Sequence, residues 1–287
     1  SSTAQAAPVA RWTATDLPGM TVLDVNGQGK VVGRRATAES PSQATVYTAC
    51  TYTDLVPVSA GLSRVESISD NGRMVCAVYG AVGQERWVEF TGNGSTREIT
   101  PTFAGTSRMW INDLGDVAGN FQPAAGEPRA FVTHADGTGF PVGPLGSHIH
   151  EINNQGTVIG SHDNEFAKDR DFIATRDGAS RYLPSLGGTA SRARDLNNQG
   201  QVVGASDLYQ DRNRHATFYD NGVLRDLGTL NGVGDSEADA INEAGQIVGW
   251  SDLASGGSHA FLYAGGIMKD IGSLGGARSW ALSINNL

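Results

Sequence analysis

One nonapeptide recurs along this chain and constrains its fold more than any other feature. The pattern apolar-Asn-x-x-Gly-x-apolar-apolar-Gly appears as VNGQGKVVG from Val25, ISDNGRMVC from Ile68, INDLGDVAG from Ile111 and INNQGTVIG from Ile152. It returns as LNNQGQVVG from Leu196 and INEAGQIVG from Ile241, and opens once more at Ile284 as INNL. Successive copies start 41 to 45 residues apart. A fixed period of this size marks a repeat architecture, in which each unit buries its apolar face against its neighbours.

A second landmark keeps the same register. Ten or eleven residues beyond each nonapeptide lies one slot, filled by Gln43, Arg86, Arg129, Arg170, His215 and His259. A short apolar run follows the slot, and then a charged-apolar pair such as Asp226-Leu227 or Asp270-Ile271. Each period therefore offers four short strands, in the last repeat near 238–242, 246–250, 259–263 and 267–271. The Asn-x-x-Gly between the first two is turn chemistry, since Asn bonds nearby backbone and Gly accepts a positive φ. Four strands per period of about 43 residues match the blade of a β-propeller. We expect an all-β propeller of six four-stranded blades, with a tail over residues 1–10 and a single domain over 11–287. Seven blades, or an open β-solenoid, are the alternatives. Two strands lie outside the six periods, Arg11–Leu17 and Trp280–Asn285, and both are expected at the ring closure.

Composition agrees with a turn-rich β protein: Gly occupies 38 of 287 positions. No run of residues is long and apolar enough for a spanning helix, so membrane insertion is not expected. A formal charge of −9 argues against nucleic acid, which requires a basic stripe. Cys50 and Cys76 are too few for a disulfide framework, and the residues leave open whether they are bridged. The small, polar start Ser1–Pro8 reads as the end left by signal-peptide removal.

The last repeat, from Ile241 to Asn285, resembles the repeat of the bacterial extracellular HAF-repeat proteins, named for the tripeptide present here at His259–Phe261. The likeness covers almost the whole chain and is strongest in the last three repeats. In the first three the tripeptide becomes ATV, RWV and RAF. The resemblance implies secretion and a repeat fold, with the periplasm as the alternative compartment, and implies no catalytic residue.

Candidate site residues emerge when the repeats are compared at the strand leading into each nonapeptide. One parity is small, as in Ser191 and Ala193, Ser236 and Ala238, and Ser279 and Ala281, which suits packing near a crowded axis. The other parity varies: Thr21/Leu23, Arg64/Glu66, Ser107/Met109, His148/His150, Arg192/Arg194, Glu237/Asp239 and Trp280/Leu282. Strand side chains alternate, so each pair is expected to face one way, into the mouth of a central channel. Arg192, Arg194, His148 and His150 are the candidate catalytic residues, with Arg64, Glu66, Glu237, Asp239 and Trp280 as candidate substrate contacts. The mixture fits β-elimination on an acidic polysaccharide, where Arg neutralises the uronate and His takes the adjacent proton. Glycoside hydrolysis ranks below it, since Glu237 and Asp239 share a strand and would need a partner such as Glu66 across the channel. A His-x-His metal pair lacks an evident third ligand, so no metal is assigned and any cofactor stays unspecified. Solvated or ion-paired channel residues are the competing explanation, and a non-catalytic propeller binding protein or glycan is the alternative function. Trp87, Trp110 and Trp250 are read as blade packing, and the chain is expected to be monomeric.

Overall fold

The computed structural model describes residues 17–38, 42–55, 63–79, 85–91, 95–99, 108–121, 129–162, 170–209, 213–273 and 275–286. Every repeat forms one four-stranded antiparallel sheet, with its strands standing in sequence order. The six leading strands are Met20–Val25, Ser63–Ile68, Met109–Ile111, Ser147–Ile152, Gly187–Leu196 and Ser236–Ile241. The last repeat shows how closely pattern and structure agree: its strands are Ser236–Ile241, Ile247–Asp252, Ser258–Ala264 and Ile267–Gly272. Among the described residues no sheet borrows a strand from another repeat.

The repeated Asn builds both the turn and the joint to the next blade. Asn197 Oδ1 accepts the N–H groups of Gln199 and Gln201, each at 3.1 Å, which closes the turn. Its Nδ2 donates to the carbonyl of Asn242, the same position one blade on, at 3.3 Å. The same inter-blade bond runs from Asn26 to the Ser69 carbonyl, from Asn112 to Asn153, from Asn153 to Asn197 and from Asn242 to Asn285. The residue after each Asn adds a second tie. The N–H of Asn154 donates to Asn198 Oδ1 at 2.7 Å, and that of Glu243 to Asn286 Oδ1 at 2.7 Å. Blade 2 carries Ser69 in place of Asn, and there Asn71 makes the link instead, to the Asp113 carboxylate and carbonyl at 2.8 Å each.

Apolar packing follows the same joints. Val65 and Ile68 of blade 2 pack on Val32, Ala44 and Val46 of blade 1, and Ala238 and Ile241 of blade 6 on Val203 and Ala216 of blade 5. The small residues of the leading strand therefore face the preceding blade and not the axis, contrary to the expectation from sequence. Their hydroxyls explain the choice of Ser. Ser236 Oγ accepts the Ala216 N–H at 2.8 Å and donates to the Gly228 carbonyl at 2.6 Å, stitching one blade to the next. Trp87 and Trp110 are buried in these inter-blade cores, as blade packing requires.

The residues 277–286 repeat that docking on blade 6. Ser279 Oγ accepts the Ala260 N–H at 2.9 Å and donates to the Gly272 carbonyl at 2.6 Å, and Ala281 N–H reaches the Gly249 carbonyl at 3.4 Å. This segment stands where a seventh leading strand would stand, beside six complete blades. Its expected companion, Arg11–Leu17, lies outside the described residues except for Leu17.

The slot residues occupy equivalent positions, each paired across to the residue two beyond its nonapeptide, such as Ser206 for His215 and Ser251 for His259. The side chains of Gln43, Arg170, His215 and His259 find their partners within their own blade. His215 and His259 bond Asp226 and Asp270 of the outermost strand at 2.9 Å, and Arg170 covers the Tyr182 ring at 4.8 Å. Cys50 is exposed and Cys76 buried, and both thiols are free.

If the Asn ring carries the joints, Asn197→Ala leaves two turn donors and a neighbouring carbonyl without partners. It should lower Tm by about 4 °C or more, since each such loss costs roughly 1 kcal/mol. Asn197→Asp keeps the acceptor but not the donor, and should fall between the two in a thermal melt.

Candidate functional site

A cavity of about 670 Å³ runs along the axis and takes side chains from every blade, including Val22–Val25, Arg108, His150, Arg194 and Asp239. Leu282 and Ser283, from the far end of the chain, line the same space as Val22–Val25. First and last repeats thus share one wall, which excludes an elongated solenoid.

A bulge decides which side chains reach this cavity. In blades 1, 2, 4, 5 and 6 the leading strand carries one extra residue against its partner, at Leu23, Glu66, His150, Arg194 and Asp239. Such an insertion breaks the period-two alternation at the bulge: Ile149 and Ile152, three residues apart, both pack in the joint to the preceding blade, and the adjacent His150 and Glu151 both line the cavity. It also draws the leading strand over the final Gly of the nonapeptide: a Cβ at Gly204 or Gly249 would collide with the carbonyl oxygen of Arg192 or Glu237. Blade 3 has no bulge, and Met109 pairs directly with Gly119. One residue of slip then sends Met109 into the core and Arg108 into the channel.

The candidate residues divide accordingly. His150, Arg194 and Asp239 line the cavity. Glu237 is buried beside them, ion-paired to Arg194 across the blade joint, with Arg214 at 3.9 Å. His148 is off the lining but near enough for its charge to act on His150. Arg192 is exposed and borders a small crevice with Asp171, Leu183 and Tyr219, away from the channel. Arg64 and Glu66 are paired with each other on blade 2, Arg64 also bonding the Tyr79 hydroxyl, and neither lines the cavity. Trp280 is half exposed outside it. Of the candidate site residues the cavity lining thus holds three, His150, Arg194 and Asp239 on blades 4, 5 and 6, with the bulge residue Leu23 of blade 1 beside them, and the uniform mouth of pairs is corrected to this set.

Six further charged channel residues were not singled out from sequence: Asp24, Asp70, Arg108, Glu151, Asp195 and Glu243. Three of them occupy one column, the position just before the nonapeptide, and reading that column would have found them. Two of that column, Asp195 and Asp24, join blades as well as lining the cavity. Asp195 accepts the N–H groups of Leu196 in its own blade and Ile241 in the next, both at 2.8 Å, and Asp24 does the same with Val25 and Ile68 at 2.8 and 2.9 Å.

The electrostatics are those of crowded acids. Burial lifts the Asp195 carboxyl to about 6, against the pull of its two N–H bonds, with the charges of Asp24 and Glu243 adding to the rise. Burial, then Asp195 and Asp24, hold Glu151 well above the usual carboxylate range. Asp239 reaches about 7 through burial and then Glu237, with Arg194 opposing, and its Oδ2 has no hydrogen-bond partner among the described residues. His150 moves the other way, to about 4, through burial and then the charges of Arg194 and His148, and its Nε2 lies 3.0 Å from Ser161 Oγ. Among the described residues no three His, Cys, Asp or Glu side chains are arranged to hold a metal, and no helix is long and apolar enough to cross a membrane.

Comparison with solved structures speaks to the fold. The β-propeller domain of the Trilobed protease from Pyrococcus furiosus, of open velcro topology, is similar over 90% of this chain and 85% of that one, with a TM-score of 0.60 and 13% identity. The chain is a β-propeller. TolB from Acinetobacter baumannii matches at a TM-score of 0.52 and 10% identity, over 83% of this chain and 61% of that one. A puromycin-hydrolysing peptidase from Mycobacterium tuberculosis matches at 0.59 and 11%, over 88% of this chain and 44% of that one. The propeller thus spans less than half of that peptidase. No family model and no curated protein matches the sequence.

Two outcomes follow for the propeller's channel. The folded Asp239 carboxyl titrates near 7 against 3.8 for the unfolded group, so its ionisation opposes folding increasingly as pH rises from about 4 to 7. Asp239→Asn should match the parent in Tm below pH 4 and exceed it by a margin that grows to pH 7 and then holds. Arg194→Ala strands the buried Glu237 and should lower Tm by about 2–4 °C at pH 7, a cost that Arg194→Ala/Glu237→Gln recovers.

Proposed function

We propose that the chain is an extracellular binding propeller of the HAF-repeat kind that takes a ligand into the mouth of its central channel. The observation that carries this reading is the cavity of about 670 Å³ with His150, Arg194 and Asp239 converging on it from three consecutive blades. That volume lies in the range of ligand sites, and the polar groups stand on rigid strands. The extracellular setting rests on the HAF resemblance.

The charge of the wall bears on the ligand. Asp24, Asp70, Glu151, Asp195, Asp239 and Glu243 face the cavity against Arg108 and Arg194. Such a wall repels polyanions and favours neutral or cationic segments of a partner protein or glycan. One observation keeps uronate β-elimination as the second reading: His150 stays unprotonated at neutral pH beside Arg194. As a base titrating near 4 it is far from the value that suits proton abstraction at pH 7, and Arg194 already holds Glu237.

Calorimetric titration with a neutral oligosaccharide series, a lysine-rich peptide and oligogalacturonate separates these readings, with ultraviolet absorbance followed for unsaturated uronates. Binding of a neutral or cationic probe that Asp239→Ala and His150→Ala abolish together supports the binding module. Unsaturated product that disappears in His150→Ala would establish the lyase and overturn it.

A further inference from the structure

The wall of the channel is not the same all the way round. One sector is aliphatic. Val22 and Val25 of blade 1 and Leu282 of the segment 277–286 line the cavity. They are 46%, 41% and 72% exposed, so their side chains stand open to the channel. Leu23, the bulge residue of blade 1, and Ser283 complete this sector, which carries Asp24 as its one ionisable group among the described residues.

Blades 4 to 6 supply a wall of the opposite kind. His150, Glu151, Arg194, Asp195, Asp239 and Glu243 come from them, and the charge of Arg194 is answered by Glu237. The surplus there is negative. Burial first, and then neighbouring acids, raise the Asp195 and Asp239 carboxyls, a cost that a bound cation relieves. Asp239 Oδ2 has no hydrogen-bond partner among the described residues.

A ligand matched to both sectors is apolar on one side and cationic on the other. Aliphatic groups left to water along a concave wall gain by being covered, and acids in a channel gain from a facing cation. A sugar answers neither demand. Besides His150, Trp110 is the one aromatic ring in the lining among the described residues. It is 7% exposed, with the Arg108 guanidinium over it at 5.2 Å, so a pyranose finds no open ring face. The cavity reaches Asn154, Asn198 and Glu243 of the nonapeptide turns, on the turn face of the ring. Its volume of about 670 Å³ suits a short stretch of extended chain and not a folded domain.

Resting on the binding-channel reading above, we propose that the ligand is an extended segment of a partner protein. Its aliphatic side chains meet Val22, Val25 and Leu282, and its lysine or arginine side chains meet Asp195 and Asp239.

The test is calorimetric titration of the full chain with short capped peptides alternating leucine and lysine, leucine and glutamine, or glycine and lysine. A neutral oligosaccharide series is titrated beside them. The leucine–lysine peptide should bind at least about tenfold more tightly than either other peptide, since each of those lacks one class of contact. Val25→Gln and Leu282→Gln should erase its advantage over glycine–lysine, and Asp239→Asn its advantage over leucine–glutamine. If Val25→Gln does not fold, Leu282→Gln, at the more exposed position, carries that arm. Equal binding of the peptides, or a preference that the aliphatic substitutions leave untouched, would overturn the proposal. An oligosaccharide that binds more tightly than every peptide, and is lost in Asp239→Ala, would overturn it while leaving the binding channel standing. Absence of binding by every probe would overturn both.

Discussion

The propeller depends on one buried amide. The nonapeptide Asn uses its oxygen to close its own turn and its nitrogen to hold the next blade by a backbone carbonyl. A buried side chain with its donors and acceptors both engaged is costly to replace, because any change leaves some partner unsatisfied. That one residue couples the local turn to the global ring, so a repeat that forms its turn has already presented its link to the neighbour. Blade 2 shows the requirement from the other side. Ser69 cannot span the joint, and Asn71 takes over the bond two residues later.

The second constraint is the bulge, which converts a repeating scaffold into a wall with individual side chains. By inserting one residue ahead of the nonapeptide it turns His150, Arg194 and Asp239 into the channel while Ile149, Ala193 and Ala238 before them stay against the preceding blade. In blades 1, 4, 5 and 6 the Gly that ends the nonapeptide goes with the bulge, since the leading strand's carbonyl occupies the space a Cβ would need, whereas blade 2 carries its bulge opposite Cys76. Blade 3, without the bulge, contributes Arg108 from a different register. Variation in function can therefore be carried by single positions without altering how blades join.

Charge is concentrated where the joints meet the axis. Asp24 and Asp195 bond the backbone of their own and the following blade while facing the cavity, so holding the ring together and setting the channel's potential are tasks of the same groups. Burial raises both carboxyls, with the charges of Asp24 and Glu243 adding to the rise at Asp195, a cost that fits a wall meant to meet donors or cations. The same acid wall weakens a uronate as ligand. It favours a binding propeller over a lyase as the reading of this site.

By itself the sequence determined the repeat, the strands and the turns, because these rest on interactions within a few residues: Asn and Gly at fixed offsets, and alternation along each strand. It also marked His150, Arg194 and Asp239, since comparing repeats isolates the positions that vary. What only tertiary structure decided was direction. Alternation predicted that neighbouring residues face opposite ways, and a bulge between strands, invisible in one strand's sequence, brings the adjacent His150 and Glu151, and Arg194 and Asp195, to one cavity. Arg64 and Glu66 satisfy each other, and Glu237 answers Arg194, through contacts set by blade geometry. The raised carboxyls of Asp195 and Glu151 arise from burial and then from charges 44 residues apart and more, brought to one axis only when the ring is made. Local patterns encode the blade; the charge and shape of the channel exist only once six blades share it.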